Sequence, residues 1–163
     1  MTELKLIAFD TLDLNVVSAH VQDAILRIGD MTVLTGQKRF AAIISRFDWV
    51  SAQSSSSRQP TLVRRRSALR FERVLAARTT GIDLRQKNDM LVLLAVAFVK
   101  RGDDDPSGIV HLTFAANSAI ELEVECLEAE LRDLGPAWAT KARPSHPLEP
   151  TPGGDSSEKS GRG

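Results

Sequence analysis

Apolar and polar residues alternate along much of the chain, and this alternation predicts strands. Leu4, Leu6 and Ala8 mark a short opening strand. The stretches "AILRIGDMTVL" and "RFAAIISRF" predict a hairpin whose turn is "TGQK", with a bulge where the first contains Gly29 and Asp30. Further strands are predicted in "RRRSALRFERVLAARTTGID", in the apolar run that begins at Met90 and in "IVHLTFAA". The sequence therefore predicts a largely antiparallel sheet.

Two segments show the spacing of a helix instead. After Asp10 and Thr11, which suit a helix N-terminus, apolar residues recur at steps of three and four and predict a helix to about Gln22. Near the C-terminus, "AIELEVECLEAELRDLGP" begins as a strand with its glutamates facing water. Its later leucines are spaced four and three, so the pattern predicts an amphipathic helix from Cys126 to Leu134.

These elements predict one α+β domain over residues 1–141. We expect about seven mainly antiparallel strands in a curled sheet or partly open barrel, packed by an N-terminal helix and by the C-terminal amphipathic helix. The serine-rich stretch 50–64 is predicted to be a flexible loop. Residues 142–163 are rich in proline, glycine, serine and charge, so they predict a disordered tail.

Composition narrows the classes of function. Among 163 residues, 21 basic side chains balance 21 acidic ones and there is no tyrosine, which argues against a nucleic-acid surface built on charge and base stacking. The longest apolar run, residues 90–99, is too short for a membrane-spanning helix, which needs about 20 residues. The N-terminus lacks a signal-peptide pattern and Cys126 has no partner for an intrachain disulfide, so we expect a cytoplasmic protein.

Few residues suggest chemistry. Cys126 lies among four glutamates that disfavour a thiolate, so a structural cysteine is expected rather than a nucleophile. His20, Asp23 and His111 could form a metal site only if the fold brought them together, and no metal-binding motif supports it. We therefore predict no metal, no cofactor and no catalytic residue.

The arginines around the serine-rich stretch are the strongest local charge feature. Arg58, Arg64, Arg65, Arg66 and Arg70 are candidate contacts for an anion or a partner. The alternative is a solvated face in which these arginines pair with the glutamates of a neighbouring strand.

The segments "LKLIAFDTLDLNVVSAHVQDA", "RFDWV", "RRRSALRFERVLAARTTGID" and "HLTFAANSAIELEVECLEAELRDLGPAW" resemble a family of small bacterial proteins classed only as a domain of unknown function. The resemblance covers about residues 4–141 and implies no activity. The order of elements is similar to that of pleckstrin-homology-like barrels, and this similarity concerns the fold alone.

Three functions remain open at this point. The favoured one is a non-enzymatic interaction module that contacts a protein or a second copy of itself through the arginine segment, the adjoining loop or an exposed sheet edge. The second is a small enzyme that uses His20, Asp23, His111 or the glutamates in a pocket hidden from sequence spacing. The third is weak binding of RNA or another polyanion through Arg58 to Arg73.

Overall fold

The computed structural model describes residues 3–48, 62–135 and 138–140. This part of the chain contains one α-helix, one 3₁₀ turn and ten strands. In chain order they are β1 (Lys5–Ala8), α1 (Thr11–Val21), β2 (Ala24–Leu34), the 3₁₀ turn (Thr35–Gln37), β3 (Arg39–Phe47), β4 (Leu62–Glu72), β5 (Val74–Thr80), β6 (Met90–Gly102), β7 (Asp105–Phe114), β8 (Ser118–Val124), β9 (Ala129–Asp133) and β10 (Trp138–Thr140).

All the strand pairs are antiparallel, and the strands follow the order β1-β9-β4-β3-β2-β6-β7-β8-β5, with β10 beside β4. The predicted antiparallel sheet is thus confirmed. Two bends shape it. At Arg73, whose φ is 62°, the chain passes from β4 to β5, and opposite this point it passes from β8 to β9. Backbone bonds from Glu72 N to Glu128 O and from Glu125 N to Arg73 O, both 2.9 Å, hold the two bends together.

The predicted fold class is wrong. The protein is mainly antiparallel β with a single α-helix in the described residues, and it is not a pleckstrin-homology-like α+β fold. The predicted helix from Cys126 to Leu134 is in fact the strand β9, in which Ala129, Leu131 and Asp133 point inward. The alternation was hidden because one inward position carries a carboxylate. The strand count of about seven was also too low.

The helix α1 confirms the expected N-terminal helix. Asp10 caps it by accepting a hydrogen bond from Asp13 N at 2.8 Å, and Leu14, Val17 and Val21 are buried. Ser18 Oγ accepts a bond from Val96 N at 2.9 Å, which attaches the helix to β6. The helix therefore covers the sheet through its apolar side.

The hairpin of β2 and β3 also forms as predicted, with the register shift at the expected bulge between Leu26 and Met31. The glycine of the "TGQK" turn is not the residue that reverses the chain. Lys38, not Gly36, takes the left-handed conformation, with φ 52° and ψ 53°. A lysine is thus fixed at the end of the hairpin.

One hydrophobic core lies inside the curved sheet. Its members include Phe40, Phe71, Leu93, Leu112 and Leu122, all at most 2% exposed. The rings of Phe40 and Phe71 lie 6.4 Å apart in a tilted arrangement. The glutamates of β8 face away from this core, as the alternation predicts.

Other predictions fall wholly or partly outside the described residues. Of the predicted loop 50–64, residues 62–64 belong to β4 and the rest lie outside, as does the predicted tail 142–163. The single domain over 1–141 therefore stays a prediction. Within the described ranges, no helix has the length and apolar character needed to cross a membrane.

Gly81 provides a test of the turn that follows β5. Its φ is +70°, and a Cβ there would lie 2.7 Å from Asn117 O. We expect Gly81→Ala to lower the free energy of unfolding by about 1–3 kcal/mol, measured by urea denaturation. Gly36→Ala is the control, since nothing lies within 4 Å of a Cβ at Gly36. Equal stability of the two variants would contradict this account of the turn.

Candidate functional site

A cleft opens on the described surface, and the strand arrangement explains it. β3 begins at Arg39, opposite Glu72, which is the last residue of β4. The chain that continues from β4 into β5 therefore loses β3 as a neighbour and pairs only with β8. On the facing side, the outer half of β2 pairs with β3 from Met31 onward, and no described strand covers its other edge there. Two strand edges thus face each other across a gap.

Both ends of this gap are closed. At one end, Val74 N donates to Lys38 O at 2.9 Å, which ties β5 to the hairpin end. At the other end, the segment between β5 and β6 returns to β2, where Gly29 N donates to Lys87 O at 2.8 Å and Ile28 N donates to Asp89 O at 2.9 Å. The gap is therefore a bounded cleft rather than a channel running along the sheet.

The cleft has a volume of about 570 Å³, within the range of about 300–1,000 Å³ that is typical of small-molecule sites. Its floor is part of the hydrophobic core. Ile28, Phe40, Val74 and Ile120 line the cleft and are each at most 4% exposed. The other lining residues are Met31, Thr32, Val33, Thr35, Lys38, Leu75, Ala76, Ala77, Thr79, Leu84 and Lys87.

The mouth of the cleft exposes large apolar side chains. Val33 is 41% exposed, Leu75 50% and Leu84 49%, and all three line the cleft. Such side chains are common singly on a protein surface, but a group of them around a concave site indicates a binding surface. Covering each of these half-exposed side chains would contribute about 1 kcal/mol of favourable burial free energy.

The polar side chains of the cleft carry hydroxyl and ammonium groups. Three threonines and two lysines line it, and among the described residues no acidic residue or histidine does. The lining supplies an apolar bed with hydroxyl and ammonium groups at its margins.

The arginines that the sequence singled out lie elsewhere, at the opposite end of β3 and β4. Arg65 is 2% exposed, and its Nε donates to Asp48 Oδ2 at 2.7 Å. Arg64 is equally buried, with its guanidinium carbon 3.9 Å from the ring centroid of Phe47 and its Nη1 bonded to Ser45 Oγ at 2.7 Å. Burial lowers the pKa of the Arg64 guanidinium. Both side chains are therefore engaged inside the protein.

Arg65 belongs to a buried group that we call the ion cluster: Arg46, Asp48, Arg65, Ser67 and Asp133. Arg46 donates to both carboxylate oxygens of Asp133, through Nε at 3.1 Å and Nη2 at 3.0 Å. Ser67 Oγ donates to the same carboxylate at 2.7 Å, and Leu4 N donates to it at 2.7 Å. The ion cluster thus joins β3, β4 and β9 to the segment that enters β1.

The remaining arginines of the predicted contact differ in exposure. Arg70 forms ion pairs with Glu72 at 2.8 Å and with Glu130 at 2.9 Å. Arg66 is exposed and forms no ion pair with any residue of the described ranges. Arg58 lies outside the described residues.

The glutamate row of β8 is compensated within the sheet. Arg78 pairs with Glu121 at 3.1 Å, Arg101 with Glu123 at 3.1 Å, and Lys38 with the Glu125 that follows the strand at 3.2 Å. The sequence predicted that Arg66, Arg70 or their neighbours would pair with these glutamates. The partners are instead Arg78 on β5, which is the strand beside β8, Arg101 on β6 and Lys38 at the hairpin end.

Cys126 is half-buried and unpaired, and it follows β8 as the alternation predicts. The thiol does not line the cleft.

The histidines and Asp23 do not form a common site. His20 lies in the last turn of α1 near the ion cluster, and its pKa is lowered by burial and by the nearby Arg46, with Asp48 and Asp133 opposing this effect. His111 Nδ1 lies 3.6 Å from Glu121 on the outer face of the sheet, and Asp23 holds a left-handed turn with φ 65°. Within the described ranges, no group of three or more potential metal ligands occurs.

Sequence reasoning missed the cleft because its lining comes from three separate segments. The sequence contained one signal, which was the position of two isolated leucines. Leu75 and Leu84 flank the stretch "AARTTGID", which is small or polar apart from Ile82, and the polar stretch "RQKND" follows Leu84. Only the fold shows that they face Val33 across one opening.

A model of the protein family described as "Protein of unknown function (DUF2948)" matches residues 4–146, so the chain belongs to this family. The resemblance to a domain of unknown function is thereby confirmed. Neither the search of curated proteins nor the search of solved structures found a match.

The ion cluster makes a testable contribution to stability. Asp133→Asn would leave Arg46 buried without its counter-charge, and we expect the free energy of unfolding to fall by about 3–5 kcal/mol in urea denaturation. Glu130→Gln on the same strand is the control. Because Glu130 pairs with partly exposed cations, its loss should cost about 1 kcal/mol or less. Similar losses in both variants would contradict the importance given to the buried pair.

Proposed function

We propose that this member of the family is a cytoplasmic, non-enzymatic binding module that holds a small, mainly apolar molecule in the cleft between β2 and β5. The observation that carries the proposal is the cleft itself: about 570 Å³ of concave space whose floor is the hydrophobic core and whose rim exposes Val33, Leu75 and Leu84.

The closed ends favour a small molecule over an inserted peptide strand. An added strand would have to run between the bond that joins Val74 to Lys38 and the bond that joins Gly29 to Lys87. The uncovered part of β2 within this span, residues 30–34, measures about 17 Å at the rise of a strand. A peptide longer than about five residues would have to break one of these closures, whereas a compact ligand fits between them.

The apolar floor supports the same conclusion. A bound hydrocarbon group would remove the half-exposed rim side chains from water and would contact core residues that are already held in place. A largely pre-formed site of this kind loses little binding free energy to ordering of the protein. The three threonine hydroxyls of the lining offer hydrogen bonds that can orient a polar end.

A second candidate keeps part of the arginine hypothesis. Arg66 and Arg132 are both exposed on the outer face of the sheet without an ion pair among the described residues, and Lys5 lies directly opposite Arg132. Like charges directly opposite each other are unfavourable, so an anion bound there would relieve the repulsion. The ion-paired Arg70 and the buried Arg64 and Arg65 would take little part. Such a contact should weaken steeply with salt.

We expect Ala77→Trp to block the cleft. Ala77 is exposed and lines the cleft, so the indole would occupy the space intended for the ligand without displacing the core. The neutral apolar dye N-phenylnaphthylamine should bind the unmodified protein with a rise in fluorescence, and the substitution should weaken binding at least about tenfold, equivalent to about 1.4 kcal/mol.

Ala97→Trp is the matched control. Ala97 is also exposed, but it lies on β6 opposite His111 and outside the cleft. Dye binding should stay unchanged in this variant. No binding to the unmodified protein, or equal binding to the Ala77→Trp variant, would refute the proposed function.

A further inference from the structure

We infer that the molecule held in the cleft is a small amphipathic anion, with an apolar chain on the core floor and a carboxylate or phosphate head at Lys87. The inference rests on the proposed function, since it names the class of ligand for the same cleft.

The charged residues that line the cleft are both positive. Lys38 and Lys87 are the only charged residues among the described residues that line the cleft. They stand at its two closed ends, because each supplies the carbonyl oxygen that completes a closure, to Val74 N and to Gly29 N respectively. A ligand of any orientation therefore meets an ammonium group at the end of its apolar part.

The two lysines are not equivalent. Lys38 Nζ lies 3.2 Å from Glu125 Oε2, so its charge is already balanced by a carboxylate. Lys87 forms no ion pair with any residue of the described ranges. Among the nearby acids, Asp30 pairs with Arg27 at 3.1 Å and Asp83 with Arg85 at 3.1 Å, whereas Asp89 lies outside the cleft lining and forms no ion pair with Lys87. The uncompensated positive charge at the cleft is thus that of Lys87.

Lys87 is also held in a defined place. A Cβ at Gly29 would lie 3.0 Å from Lys87 O and 3.3 Å from Lys87 Cβ, so the two backbones are in close contact. Only a glycine on β2 allows this approach without displacement. The stem of the lysine therefore begins at a fixed point beside the apolar floor, and its ammonium group can reach a head group at that end.

Charge and shape together favour an anion over the other classes of small ligand. A neutral apolar molecule would gain nothing from the ammonium of Lys87, and a cationic amphiphile would be repelled at the Lys87 end. An anionic head gains a charge-assisted hydrogen bond at the rim, where the ammonium keeps part of its hydration.

The test compares four ligands with the same eight-carbon chain: octanoate, octyl phosphate, octan-1-ol and octyltrimethylammonium. Each displaces N-phenylnaphthylamine from the full chain at low salt, below its micelle concentration. We expect at least one of the two anions to displace the dye at a concentration about tenfold lower than octan-1-ol, and the cation to be the weakest. The two anionic arms distinguish a carboxylate head from a phosphate head.

Substitutions assign the preference to a residue. Lys87→Gln should remove the advantage of the anion over octan-1-ol, measured as the ratio of the two displacing concentrations. Lys38→Gln should reduce that advantage less, because Glu125 already compensates Lys38. Lys100→Gln is the control, since Lys100 Nζ donates to Asp103 O in the turn between β6 and β7, outside the cleft.

The outcomes separate the two hypotheses. If the dye binds and is displaced equally by octan-1-ol and the anions, or if Lys87→Gln leaves the preference intact, the anionic ligand is refuted and the apolar cleft stands. If the dye does not bind the unmodified protein at all, the proposed function fails and the inference fails with it.

Discussion

The arrangement of strands depends on the hydrogen bonds that the buried carboxylate of Asp133 accepts. This carboxylate accepts hydrogen bonds from Arg46 on β3, from Ser67 on β4 and from the backbone of Leu4 at the entry to β1. A buried charge without such partners would cost several kcal/mol, so the strand that carries Asp133 is stable only between these neighbours. A helix at this position would turn the carboxylate away from them. The ion cluster therefore selects a strand where leucine spacing alone favours a helix.

The ion cluster and the cleft lie towards opposite ends of β3. Along β3, Arg46 belongs to the ion cluster and Phe40 to the floor of the cleft, six residues and about 20 Å apart at the rise of a strand. At the end of Arg46, three strands and the N-terminal segment are joined by charged hydrogen bonds. At the end of Phe40, β3 stops and the edges of β2 and β5 separate. The charged hydrogen bonds thus hold the strands together at the Arg46 end, whereas the sheet is incomplete at the Phe40 end.

Sequence patterns predicted the elements whose two faces differ in polarity. The alternation around Leu122 and the helical spacing around Val17 both place apolar residues inside, although α1 also exposes Leu12 and Val16, and both elements formed as expected. The pattern failed where polar residues face inward, at Arg65 and Asp133, because composition does not show that two charges will neutralise each other after folding. For the same reason the arginines looked available for a partner although two of them are buried. The cleft could not be predicted because it depends on where β3 ends relative to β5, which is a property of register.

The position of the cleft follows from the backbone conformation of two residues, Arg73 and Lys38. Arg73 adopts a left-handed conformation, which turns the chain out of β4 and into β5 just beyond the start of β3. If β3 began several residues earlier, it would cover the edge of β5 and the gap would be filled by ordinary sheet hydrogen bonds. Instead the hairpin ends in Lys38, whose left-handed φ directs its carbonyl to Val74 N. This single hydrogen bond closes one end of the gap. The left-handed conformations of Arg73 and Lys38 thus open the sheet over the hydrophobic core and place a lysine at the margin of the cleft. Backbone geometry therefore determines where a ligand would meet this positive charge.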